Sequence, residues 1–192
     1  MLRFLYLLGS GYLAICVAAL VLPGAPPLSH GAAALVVPGG GAGATWFSRI
    51  KPYCNSVEVA FAQQSSPPPD SPDGLGYSAA CYALAGRIEA ARAAIERLPA
   101  RHRSYAAGIV FNVGHPVADA GDDQSAGPIM GLVIEYQPDN YMALYHAGMS
   151  EYALGQPELA RAHLERFLQL YSSPDGWRSN ATEVLSRLGR RP

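Results

Sequence analysis

Residues 141–174 read YMALYHAGMSEYALGQPELARAHLERFLQLYSSP. Leu144, Leu159, Leu164, Phe167 and Leu168 recur there at helical spacing, the mark of helices with one buried face. The first predicted helix runs from about Tyr141 to Leu154 and stops at Gly155. The second begins at Pro157, a good first helical residue because its missing N–H would have no partner there anyway. Small residues stand where the two helices must touch: Ala147 and Gly148 on the first, Ala160 on the second. The stretch is a helical hairpin.

The hairpin has copies upstream. Gly148, Gly155 and Ala160 align with Gly114, Gly121 and Ala126, each 34 residues earlier, and Ala79, Gly86 and Ala91 lie a further 35 residues back. This pattern resembles the tetratricopeptide repeat, a helix–turn–helix unit of about 34 residues with small side chains at its eighth and twentieth positions and Gly at its fifteenth. The resemblance covers about residues 72–174 and implies three hairpins stacked as an α-solenoid. The first unit pairs a helix near residues 75–85 with RIEAARAAIERL at 87–98. The second is irregular, because Pro116 in its first helix is expected to bend or shorten it. After Pro174, GWRSNATEVLSRLG reads as a closing helix covering the last repeat with Trp177, Val184, Leu185 and Leu188. Terminal repeats need such a cover. The expected fold is therefore all-α, with three hairpins and a C-terminal capping helix over residues 75–192.

The start of the chain differs in kind. Residues 4–22 carry no charge, and Arg3 precedes them. Nineteen helical residues at 1.5 Å each span roughly 28 Å, close to the hydrocarbon thickness of a bilayer. A cleaved signal peptide is the competing reading, but the apolar run is long and no A-x-A-like site closely follows it. We read residues 1–22 as one transmembrane anchor. The next basic residue after the span is Arg49, so the positive-inside rule puts the N-terminus in the cytoplasm and the rest in the periplasm, at an inner membrane. Ser10, Ala14 and Ala18 form a stripe of small side chains on which another transmembrane helix would pack.

Residues 23–44 are rich in Pro, Gly and Ala and read as a linker. Residues 45–74 read as an ordered, extended strap lying across the first hairpin, with alternation from Ser56 to Phe61. Trp46 and Phe47 are expected to pack on the repeat domain. Cys54 and Cys81 both fall on the outer side of the membrane, where an oxidising space allows a disulfide; two buried thiols are the alternative. No CxxC motif occurs, which disfavours zinc ribbons and thioredoxin-type sites.

The chain of 192 residues has a net charge of −1, which gives no electrostatic case for nucleic-acid binding, since that needs a basic face, and no nucleic-acid partner is expected. No G-x-S-x-G elbow, phosphate loop or GxGxxG is present, and the chain reads as a non-enzyme. One polar cluster, His115, Asp119, Asp122 and Asp123, invites a metal reading. Its spacing fits neither an EF-hand nor an HExxH helix, and Asp before a helix is commonly a cap, so no metal and no cofactor are expected.

The family binds partners through the surface lined by the first helix of each pair. Carried onto this chain, that surface holds Phe111, His115 and Asp119 from the second unit. Met142, Tyr145, Met149 and Tyr152 come from the third. Aromatic and Met side chains suit an apolar segment of another protein. The expected function is a membrane-anchored periplasmic scaffold or accessory subunit of a larger membrane complex, with other protein subunits, membrane proteins among them, as partners. Photosynthetic reaction-centre, respiratory and secretion assemblies are all candidates. The alternative is a soluble periplasmic adaptor that binds peptides or envelope proteins after signal cleavage.

Overall fold

The computed structural model describes residues 41–189. The expected anchor at 1–22, its packing face of Ser10, Ala14 and Ala18, and the linker up to residue 40 lie outside the described residues. Among the described residues, no helix is long and apolar enough to cross a membrane.

The described chain is helical, with no strand among its residues. In order come α1 (Ala42–Ile50), a 3-10 turn (Lys51–Tyr53), α2 (Val59–Ser65), α3 (Pro72–Leu84), α4 (Ile88–Glu96) and α5 (Ala100–Asp119). They are followed by α6 (Asp123–Tyr136), α7 (Tyr141–Ala153), α8 (Pro157–Leu170) and α9 (Gly176–Gly189). Helices α3–α4, α5–α6 and α7–α8 are three hairpins, each packed on the next, an arrangement consistent with an α-solenoid.

Local chemistry explains the hairpins. Each turns at a glycine with positive φ: Gly86 at 71°, Gly121 at 76° and Gly155 at 73°. Residues with a Cβ adopt that conformation only at a cost, and glycine does not. Four helices start on side-chain caps, α9 on Asp175, whose Oδ1 accepts from the Arg178 N–H at 3.3 Å. Ser71 Oγ accepts from the Gly74 N–H at 3.0 Å, Asp122 Oδ1 from Ser125 at 3.2 Å, and Asn140 Oδ1 from Ala143 at 3.0 Å. At the hairpin contacts, Ala79, Ala91, Ala126 and Ala160 are fully buried. Gly148 has no room for a side chain, since a Cβ there would stand 2.7 Å from Leu164 Cγ.

Two expectations are corrected here. Helix α5 is not shortened at Pro116 but continues through it to Asp119. Pro116 sits three residues from the C-terminal end and is exposed, so the hydrogen bond it denies, to the Asn112 carbonyl one turn earlier, does not end the helix. The strap, expected to be extended over residues 45–74, is instead largely helical, and its first helix begins at Ala42, inside the stretch read as linker. Tertiary contacts induce it. Trp46, Phe47, Ile50 and Val59 are buried with Cys81 and Ala85 in a core of their own, and Phe47 stacks on Tyr77 at 5.1 Å. The Trp46 indole N–H donates to the Ser66 carbonyl at 2.8 Å, and the Gly43 N–H donates to Asp73 Oδ2 at 2.9 Å. The alternation at 56–61 belongs to a turn and helix: Val59 and Gln63, four residues apart, face inward, and Gln63 exchanges hydrogen bonds with Ser78.

Candidate functional site

The expected groove begins on α5 and α7, which lie next to each other as the first helices of the second and third hairpins. The structure distributes its residues unevenly. Phe111 is partly buried on the main core and stacks on His115 at 4.9 Å. Asp119 is exposed and Met142 is partly buried.

Tyr145, expected as a side chain offered to a partner, is only 6% exposed, because the chain's own residues cover it. The cause is α9. This helix, which follows the third hairpin, lays Trp177 against Tyr145 at a centroid separation of 4.8 Å, edge to face. Phe167 packs on the other side at 5.1 Å, and Asn180 Nδ2 donates to the Tyr145 hydroxyl at 3.4 Å. Met149 and Tyr152 are partly buried against this same cluster, which also holds Leu164, Val184 and Leu188. The chain's own cap fills much of the third hairpin's inward face.

The polar cluster is also reassembled. Asp122 is a helix cap on Ser125, and Asp123 accepts from Ser150 Oγ at 3.0 Å. Neither joins His115. The partner that does is His146 on α7, a residue the sequence reading passed over. Its Nε2 lies 2.9 Å from His115 Nε2, and Asp119 Oδ1 lies 3.6 Å from His115 Nε2 and 3.7 Å from His146 Nε2. The rings are locked from several sides, His115 by Phe111 and His146 by Tyr145 and Trp177. Burial pushes the His146 imidazole down to about 4, with His115 adding to the effect and Asp119 and Asp123 opposing it. At neutral pH His146 is therefore uncharged. A signal for the pairing existed in the repeat itself: first helices of adjacent hairpins pack side by side, so residues about 31 apart in sequence can meet.

Among the described residues, the most exposed large apolar side chains lie elsewhere. Val57 is 86% exposed, Phe61 74% and Tyr53 47%. With Ile50 and Ala62 they border an open hollow of about 430 Å³ on the strap. Single exposed apolar residues need no explanation, but adjacent ones mark interaction surfaces. Nearby, Cys54 and Cys81 are joined by a disulfide with Cα atoms 4.9 Å apart, which ties the strap to α3.

Comparison with known proteins adds one match. Residues 142–173 match the family model described as "Tetratricopeptide repeat". No curated protein and no solved structure matches the chain.

Proposed function

We propose that this chain, whose residues 142–173 match the tetratricopeptide-repeat model and which stacks three helical hairpins of that kind, is a protein–protein interaction scaffold: a membrane-anchored accessory subunit of a larger protein complex, without enzymatic activity. The apolar run at 4–22 would hold it at the inner membrane, with the helical domain in the periplasm.

The observation that carries the reading is the position of the free apolar surface. The inward face of the third hairpin is occupied by α9, whereas Val57 and Phe61 project from a strap held rigidly by a disulfide and by Trp46. A pre-ordered apolar patch loses little conformational entropy on binding. The strap thus replaces the groove as the favoured protein contact, and Met142 and Asp119 remain accessory positions at the groove's open side.

The test is solubilisation of native membranes in mild detergent, followed by size fractionation of wild type and of a Val57→Asp, Phe61→Asp double variant. Wild type is expected in a particle much larger than its own 20.3 kDa plus micelle, and the variant in a smaller one. A wild-type protein running alone would defeat the subunit reading. Release of the mature domain into the soluble fraction would favour the periplasmic adaptor instead.

A further inference from the structure

The contact between His115, His146 and Asp119 is poorly explained as a hydrogen-bond network. The two imidazoles satisfy each other at 2.9 Å. The Asp119 oxygen, however, is 3.6 Å and 3.7 Å from the two ring nitrogens, too far to hydrogen-bond either. The carboxylate faces both rings and bonds to neither. That spacing suits three atoms that share a fourth.

A circle through three points with these separations has a radius of about 2.0 Å, and zinc lies about 2.0–2.2 Å from His nitrogen and carboxylate oxygen. An ion just outside the plane of the three atoms would reach all of them with the side chains where they stand. Tetrahedral bonds of that length place ligand atoms about 3.3 Å apart, so the His–His contact would open by a few tenths of an ångström and the Asp contacts would close by about as much.

We propose that His115 and Asp119 of the second hairpin and His146 of the third bind a divalent transition-metal ion of the zinc class. Two imidazoles and one carboxylate form a borderline donor set that prefers such ions to Mg²⁺ or Ca²⁺, which require mostly oxygen. Charge supports the placement. Asp119 ends α5, so the carbonyl end of the helix dipole also faces the ion, and Asp123 lies close enough to act on His146 electrostatically. Ring packing around both histidines supplies the rigidity a site needs. The His146 side chain is 8% exposed and Asp119 51%, so the ion enters on the Asp119 side, where its remaining position is open to water or to a partner's side chain. The ion would pin the second hairpin to the third.

Zinc titration by calorimetry tests this on untagged, chelator-treated full-length protein in detergent, beside His115→Gln and Asp119→Asn. Both substitutions leave the buried His146 and its packing on Tyr145 and Trp177 in place, although His115→Gln removes the ring contact that His115 itself makes with His146. Wild type is expected to bind one Zn²⁺ per chain in the micromolar range or tighter, and Zn²⁺ should raise its unfolding midpoint. Asp119→Asn should weaken binding at least about tenfold, and His115→Gln should abolish it. If circular dichroism shows lost helicity in His115→Gln, the exposed Asp119→Asn decides alone. Absence of binding in wild type, equal zinc affinity in wild type and variants, or Ca²⁺ bound as tightly as Zn²⁺ overturns the proposal.

Discussion

At one end of the helical stack, α1 and α2 cover the first hairpin; at the other, α9 covers the third. Both bury aromatic anchors, Trp46 and Phe47 in the first case and Trp177 against Tyr145 in the second. They differ in what holds them and in what they leave exposed. The N-terminal cover carries a covalent tie and presents Val57 and Phe61 to solvent. The C-terminal cover has no covalent tie: packing and hydrogen bonds from Arg178 to the Leu168 carbonyl and from Asn180 to the Tyr145 hydroxyl hold it, and its apolar residues Val184 and Leu188 turn inward. A cover whose only task is to close a repeat array has no need of exposed aromatics. Under the proposed function that exposed surface is the strap's contact with a partner, and the disulfide keeps the strap in place while its own apolar surface is only partly used for packing.

The largest effect comes from breaking the covalent tie. Reduction of Cys54–Cys81, or Cys54→Ala with Cys81→Ala, opens a loop with a sequence separation of 27. The expected loss is about 3.5 kcal/mol by chain entropy. Urea unfolding with and without reductant measures it, and the loss should concentrate at the strap, where hydrogen exchange would rise in α1 and α2 before α7 and α8. Uniform exchange across all helices would mean that the strap and the repeats unfold as one unit.

Next comes Trp177→Ala, which uncovers Tyr145 and His146 at the opposite end. Truncating a large, mostly packed aromatic costs about 3 kcal/mol. Its signature is a loss of near-ultraviolet dichroism with helicity retained, since α9 remains attached through Ala181, Val184 and Leu188. A Phe at 177 should recover most of the loss; failure to recover would put the weight on the indole's polar atom rather than its bulk.

How far these two ends were legible follows from what each depends on. Closing helix α9 was readable because its apolar residues keep a helical period and it follows a proline break. The hairpins were readable because Gly86, Gly121 and Gly155 meet a local backbone demand that any single residue reveals. The strap was misread because its helicity is not local: α1 begins among glycines and alanines, and bonds to Asp73 and Ser66 hold it. His146 was missed for a related reason. On its own helix it looks like one polar residue in an apolar run, and only the stacking of α7 on α5 brings it to His115. Tyr145 was placed on the correct face, but the cover over that face belongs to the next element, α9.

Acid provides a further way to separate the ends. His146 titrates at about 4 in the folded chain against 6.5 as a free side chain. Between those values the unfolded state binds more protons, so stability falls as pH falls from about 6.5 toward 4. At pH 5 the loss from this group alone is about 2 kcal/mol. His115, Asp119 and Asp123 surround it, and Tyr145 and Trp177 close the site. Urea midpoints measured in chelator at pH 7 and pH 5 should differ accordingly, and His146→Gln should flatten the dependence.

The smallest expected effect on stability is the most diagnostic for the strap. Val57 and Phe61 are mostly solvent-exposed, and α2 is anchored by Val59 and Gln63 on its other side. Replacing both exposed residues with Asp removes little buried area, so the unfolding free energy should change by no more than about 0.5 kcal/mol. Against that near-zero change, any loss of complex size reports binding and not folding. A destabilisation comparable to Trp177→Ala would mean that Phe61 closes the strap's own core, as Trp177 closes the third hairpin, and the contrast between the two covers would vanish.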